Sequence, residues 1–182
     1  MNIDISNLKQ YMTSNYSSTL DTFENISRDN RGNAVVSSSS QAYNFDTIVR
    51  LIFPAHKCPK SADALLIKDE IYFIEFKSGK NNTKEKKLST IGKLCSSMLI
   101  LENYLLKQSG INISNVKINF LLVEKQTSNP INTYSAALSK LSNFPLFADG
   151  VYEQKIQNQR IYYDSTFRIN DINFDTYLLL IK

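Results

Sequence analysis

The sequence has little of what several common protein classes require. It contains no Trp, one His and only two cysteines, Cys58 and Cys95, which do not stand in CxxC spacing. Two isolated cysteines supply neither a zinc site nor a disulfide framework. Because Cys95 falls on an apolar helical stripe, we expect a buried free thiol there rather than a nucleophile.

Targeting and membrane signals are also missing. The first ten residues, MNIDISNLKQ, lack the basic start and apolar run that are typical of a signal peptide. Apolar runs such as Met98 to Leu101 are far shorter than the roughly 20 residues of a transmembrane helix. We therefore expect a cytoplasmic protein with no membrane partner.

What is present suits one soluble domain spanning residues 1–182. Hydrophobic residues make up 42% and charged residues 21% of the chain, which is ordinary for a globular protein. The net charge of +4 is a mild preference for anionic partners and does not by itself identify a nucleic-acid binder. No internal repeat is evident.

Hydrophobic periodicity predicts helices in the first part of the chain. Between Ile3 and about Ile26, three- and four-residue steps favour one or two amphipathic helices. Residues 27–40 then read as a polar loop. A further helix stops before Pro54. The apolar positions of these helices are Ile5, Leu8, Met12, Tyr16, Leu20, Phe23, Phe45, Ile48, Val49 and Ile52.

The middle of the chain predicts an antiparallel hairpin, Asp63–Lys68 and Ile71–Lys77, that turns at Asp69-Glu70. A loop, SGKNNT, follows, and Asn82 with Glu85 resembles a helix-capping pair. The next helix runs from Lys84 to about Leu106, and a strand follows at Val116–Glu124. The inner stripe of the helix is Leu88, Ile91, Cys95, Met98 and Leu105.

Beyond that strand, INTYSAALSKLS predicts a short helix, and the segment after Pro145 predicts a second hairpin. The final NFDTYLLLIK fits a helix or a strand equally well. Helices and strands in this order indicate an α/β fold, with a mixed sheet flanked by helices.

The hairpin carries charges where a strand should be apolar. Side chains alternate faces along a strand, so Phe73, Glu75 and Lys77 share one face, and the last two lie about 7 Å apart. Asp63 begins the partner strand and comes near both. Two carboxylates suit Mg²⁺, which prefers oxygen ligands, and the backbone carbonyl of Phe76 offers a third oxygen.

A bound metal ion of this kind polarises a phosphoryl oxygen, and a neighbouring ammonium offsets charge that develops on phosphorus. The alternative is a surface ion pair between Glu75 and Lys77 on an edge strand, with Asp63 ending the other strand. Such pairs stabilise by only ~0–1 kcal/mol. The second strand is apolar on both faces, as a central strand would be, which favours the functional interpretation.

Asp63, eleven intervening residues and then Glu75-Phe76-Lys77, placed on consecutive strands between two helices, resemble the core of the PD-(D/E)XK nuclease superfamily. The resemblance covers about residues 41–124, with residues 1–30 and 145–182 as elaborations. It implies a restriction-endonuclease-like αβββαβ core and cleavage of DNA, less often RNA, that depends on Mg²⁺ or Mn²⁺. The proline that often precedes the aspartate is replaced by Ala62.

Carried onto this chain, the resemblance makes Asp63 and Glu75 metal ligands and Lys77 the catalytic lysine. Many members have a further acidic residue on the preceding helix, and Asp46 is the candidate here. His56 is expected to be structural, since this chemistry needs no histidine. The tyrosines that could stack on bases, more simply explained by packing, are Tyr152, Tyr162 and Tyr163.

The long helix is rich in lysine near its start, with Lys80 in the loop before it. Lys86, Thr90, Lys93 and Ser97 share one helical face. This face either contacts a phosphate backbone through Lys86 and Lys93 or is simply solvated.

Three functions follow from these observations. The first is a metal-dependent nuclease acting on nucleic acid, DNA rather than RNA. The second is an inactive nuclease fold, such as a phage or bacterial defence or counter-defence factor, that grips a protein or nucleic acid. The third is an interaction protein with a fortuitous hairpin and no metal. A homodimer or a protein partner is compatible with each of them.

Overall fold

The computed structural model describes residues 3–78, 84–125 and 165–181. Among the predictions that lie outside these ranges are the short helix near residues 131–142, the hairpin after Pro145, Asn82 of the capping pair, Lys80 and the three C-terminal tyrosines. The side chain of Lys86 also lies outside the described part of the chain. Among the residues described, no helix has the length and apolar character needed to cross a membrane.

A six-stranded mixed sheet organises the described part of the chain, in the order β1 to β6. The strands are Leu20–Thr22, Gln41–Asn44, Ala64–Ile67, Ile71–Lys77, Ile118–Glu124 and Ser165–Asn170. Neighbours from β1 to β4 run antiparallel, whereas β4, β5 and β6 run parallel. The expected α/β class with a mixed sheet is therefore confirmed.

Helices cover both faces of this sheet. They are α1 (Ile3–Tyr16), α2 (Phe23–Ile26), α3 (Phe45–Ile52), α4 (Lys84–Ile100), α5 (Lys107–Ser109) and α6 (Phe174–Leu180). A π-helical segment, Leu101–Leu106, joins α4 to α5, and 3₁₀ turns occupy Ser17–Thr19, Ala55–Lys57 and Asp171–Asn173. The last segment of the chain, for which helix and strand were both open, is a helix.

The two faces of β4 contribute side chains to two separate hydrophobic cores. Phe73 packs with residues of α1, α3 and α4 in one core, where its ring lies 5.0 Å from that of Phe45. Tyr72, Ile74 and Phe76 join the other core, with α2 and α6. The expected alternation along this strand is confirmed, and β4 is buried on both sides as a central strand should be.

The hairpin is the best predicted element. Ile67 pairs with Ile71, and the Lys68 N–H donates to the Glu70 carbonyl at 3.0 Å, which places the turn where the sequence indicated it. The end of α3 before Pro54 and the strand up to Glu124 are likewise confirmed, although β5 begins at Ile118 rather than Val116.

Two parts of the prediction are wrong. Leu20–Thr22 is an edge strand rather than helix, because it pairs with the strand Gln41–Asn44 that precedes α3. Leu88 is also wrongly placed in the inner stripe of the long helix, since it is 42% exposed, whereas Cys95, Met98 and Leu105 contact the core as expected. Thr90 and Ser97 are buried instead of facing solvent.

The aromatic cluster around Phe23 tests the second core. Phe23 is fully buried and packs edge-on against Phe174 and Phe76, at ring-centre distances of 4.9 and 6.1 Å. We expect Phe23→Ala to lower the free energy of unfolding by about 3–5 kcal/mol, because it removes a buried ring and leaves a cavity. Urea unfolding followed by circular dichroism measures this change.

Leu51→Ala is the control, because Leu51 is 64% exposed and its truncation should change stability by less than about 0.5 kcal/mol. Equal losses in the two variants would contradict this account of the core.

Candidate active site

The charged residues of the hairpin meet at the C-terminal end of β4. Ala64 pairs with Ile74, so Asp63 comes next to Glu75, one residue further along the ladder. Asp63 is fixed there by its Oδ2, which accepts the Phe76 N–H at 2.7 Å. The Glu75 side chain lies on the face of β4 that meets α4, opposite the side chain of Ile74. It is completely buried.

Lys77 and Lys93 compensate the buried Glu75 carboxylate. The Nζ of Lys77 lies 2.5 Å from Glu75 Oε1. The Nζ of Lys93 lies 2.9 Å from both Glu75 oxygens and 3.0 Å from Asp63 Oδ1. The expected convergence of Asp63, Glu75 and Lys77 is therefore present, and Lys93 joins these three residues.

Burial is the main influence on the pKa of Glu75, which it raises to about 7. The Asp63 charge acts in the same direction, and Lys93 and Lys77 oppose both. Burial alone would lower the pKa of Lys93, but Asp63 and Glu75 outweigh it, so the pKa of this ammonium is raised. The cluster therefore holds Lys93 firmly in its charged form.

Asp46 lies at the edge of the same cluster. The Phe45 N–H donates to the Asp63 carbonyl at 3.0 Å, which fixes the start of α3 beside the hairpin. The Asp46 carboxylate accepts a short hydrogen bond from the Ser61 hydroxyl. Burial, with a contribution from Asp63, raises the pKa of Asp46. Asp46 therefore lies in the same cavity lining as Asp63 and Glu75.

Two serines of α4 hold this helix against the entrance of the hairpin, the segment from Lys60 to Ala62 that precedes β3. Ser97 Oγ accepts the Ala62 N–H at 2.8 Å and donates to the Lys93 carbonyl at 2.7 Å. Ser96 donates to the Lys60 carbonyl. These bonds position Lys93, whose location sequence reasoning missed. Thr90 and Ser97, three and four positions from Lys93, were the signal that the sequence offered. Small hydroxyl residues on the same helical face as a lysine indicate that this face can pack against another segment.

A cavity of 510 Å³ opens in front of the cluster. Its floor is formed by Asp63, Glu75, Lys77 and Lys93, and Phe76 also lines it. The lining also includes Arg28 and Asp29 from the loop after α2, Asn44 from the end of β2, and Asp46 and Arg50 from α3. The polar loop therefore forms a wall of the site. His56 lies outside this lining, on an exposed turn, and Cys58 and Cys95 are free thiols.

The donor atoms fit a small divalent cation in part. Glu75 Oε1 is buried and makes no directed hydrogen bond, although both ammonium groups lie close to it. With Asp63 Oδ1 it offers two hard oxygens, which suit an ion that keeps several waters. Within residues 3–78, 84–125 and 165–181, no three His, Cys, Asp or Glu side chains form a group that could hold a metal ion.

Comparison with known proteins adds no identity. The chain matches no protein-family model, no curated protein and no solved structure.

The raised pKa of Glu75 predicts a pH effect on stability. Since its folded value of about 7 exceeds its ordinary value of 4.5, the folded protein retains a proton between these pH values that the unfolded chain releases. The contribution of Glu75 to the free energy of unfolding therefore decreases as pH rises through this window. Urea unfolding of Glu75→Gln at pH 4.5 to 7.5 should show a weaker decrease than the wild type.

Asp175→Asn is the matched control, since Asp175 is exposed in the first turn of α6 and its variant should follow the wild-type pH profile. Identical profiles for Glu75→Gln and the wild type would refute a raised pKa at Glu75.

Proposed function

We propose that the protein is a metal-dependent nuclease that hydrolyses phosphodiester bonds, with DNA as the expected substrate. One observation carries the proposal: Asp63, Glu75 and Lys77 converge at the end of the hairpin and face a cavity. An isolated surface ion pair would not explain a fully buried glutamate that contacts two ammonium groups.

In this proposal Asp63 and Glu75 hold Mg²⁺ or Mn²⁺, with the Phe76 carbonyl as a further oxygen. The ion, when bound, polarises the phosphoryl group and lowers the pKa of a bound water. Lys77 orients the attacking water and stabilises charge that develops on phosphorus, since its ammonium reaches both Glu75 and the cavity. Arg50, in the cavity wall, is available for a neighbouring phosphate.

The order of elements supports a nuclease-like core without requiring it. The antiparallel run β2, β3 and β4 is followed by α4 and then by β5, which is parallel to β4. With α1 counted first, the order αβββαβ is obtained when β1 and α2, between α1 and β2, and α3, between β2 and β3, are treated as insertions. The restriction-endonuclease-like fold is therefore part of the proposal.

A second function, a binding module that grips a partner without cutting, is favoured by one observation. The Lys93 ammonium contacts both the Asp63 and the Glu75 carboxylates, so the chain itself supplies a cation to them. In that case the cluster is structural, and the cavity cations Lys77 and Arg50 contribute to binding of an anionic partner.

The role of Lys77 distinguishes these functions. Lys77→Met should still bind nucleic acid but should cleave it about 100-fold more slowly or worse, as expected when one preorganised electrostatic donor is lost. A cleavage time course beside a binding titration, with Mg²⁺ and with Mn²⁺, measures both quantities. Plasmid, linear duplex, single-stranded DNA and RNA are the substrates, and EDTA should stop the reaction.

Lys117→Met is the matched control, because Lys117 is 67% exposed and distant in sequence from the cluster. It should cleave at the wild-type rate. Wild-type protein that binds these substrates but cuts none of them, with either metal, would leave only the binding module.

Metal binding is a separate prediction. Asp63→Asn should abolish the heat of Mn²⁺ binding in calorimetry, because the charge on Oδ1 is lost while an oxygen remains for the Phe76 N–H. Asp175→Asn should bind Mn²⁺ as the wild type does. Unchanged Mn²⁺ affinity in Asp63→Asn would place the metal elsewhere.

A further inference from the structure

The Lys93 ammonium occupies the position where a cation shared by Asp63 and Glu75 would lie. It is 3.0 Å from Asp63 Oδ1 and 2.9 Å from each oxygen of Glu75. The contacts with Asp63 Oδ1 and Glu75 Oε2 are charge-assisted hydrogen bonds in a largely buried setting, where such contacts are strong. An ion such as Mg²⁺, held between the same oxygens at about 2.0–2.1 Å, would lie where the ammonium now lies.

The charges of the cluster lead to the same conclusion. Glu75 lies between the ammonium groups of Lys77 and Lys93, and Lys93 also contacts Asp63. A divalent ion placed on the same oxygens would be repelled by both ammonium groups. Repulsion between close cations in a low-dielectric setting is large, so displacement of Lys93 is favoured.

We propose that Lys93 is an internal counter-ion that binds Asp63 and Glu75 in the metal-free protein and leaves them when a divalent cation binds. This inference rests on the proposed function and concerns how its site is regulated. The Lys93 side chain also lines the cavity, so its flexible stem can turn the ammonium toward that space while α4 stays in place.

The exchange would couple metal binding to substrate binding. In the structure the Lys93 ammonium contacts two carboxylates, and the Lys93 side chain is 19% exposed. Once released, it joins Lys77 and Arg50 as a cation facing the cavity, where the phosphate of a substrate would lie. The phosphate contact that the sequence assigned to Lys93 would then exist only in the metal-bound protein.

Lys93→Met tests the inference directly, because it keeps most of the unbranched apolar stem and removes the competing charge. Calorimetry with Mn²⁺ on the full chain should give binding at least about tenfold tighter than in the wild type, since no charge-assisted hydrogen bonds have to be broken first. Mn²⁺ should also raise the melting temperature of Lys93→Met more than that of the wild type. Lys117→Met should match the wild type in both measurements.

A second measurement uses the wild type and does not depend on the folding of the variant. Acetylation of lysines by a small amine-reactive reagent, followed by mass spectrometry, should be slow at Lys93 without metal and several-fold faster with saturating Mn²⁺. Lys117 is exposed with or without metal, and its rate should not change.

The outcomes separate this inference from the proposed function. Tighter Mn²⁺ binding by Lys93→Met, or faster acetylation of Lys93 with Mn²⁺, supports the exchange. Equal or weaker Mn²⁺ binding by a folded Lys93→Met, in a wild type that binds Mn²⁺ and cleaves, overturns the exchange alone. If Lys93→Met does not fold, the wild type decides: an acetylation rate at Lys93 that Mn²⁺ leaves unchanged overturns the exchange alone. Absence of Mn²⁺ binding in both wild type and a folded Lys93→Met overturns the metal site and the exchange together.

Discussion

Compensation of the buried Glu75 charge is the constraint on which the arrangement of the site depends. A carboxylate with no exposed surface at the end of a central strand is costly unless charged and hydrogen-bonding groups surround it. Lys77 supplies one ammonium from the same strand, and Lys93 supplies another from α4. The second of these contacts fixes the rotation of the long helix about its axis, and the serine bonds to the hairpin entrance keep it there.

The sheet explains why these groups meet where they do. β4 is buried on both faces, so its apolar residues divide between two cores, and charged residues are tolerated only toward its end. The change from antiparallel to parallel pairing occurs at this strand and requires the crossover through α4. Along this crossover helix Lys93 lines the cavity, and Leu94, Met98 and Ile100 pack in the core.

The sequence allowed the hairpin and its charged end to be predicted, because strand alternation fixes which side chains share a face once the turn is known. Asp46 could be placed on the right helix for a similar reason, since Pro54 limits where α3 ends. Lys93 could not be placed, because a lysine on a helix is ordinarily solvated, and only contact with Asp63 and Glu75 makes its burial favourable. The short strands Leu20–Thr22 and Gln41–Asn44 were missed because their pairing is a tertiary interaction that overrides local periodicity.

The two oxygens of Asp63 have different partners, and this division has a consequence for the evolution of the chain. Oδ2 joins the backbone of β4 to the start of β3, whereas Oδ1 contributes charge to the cluster. A side chain longer by one methylene would have to shift one of these contacts in order to keep the other. Selection for a correctly paired hairpin would therefore by itself preserve an aspartate at this position, whatever the cluster does.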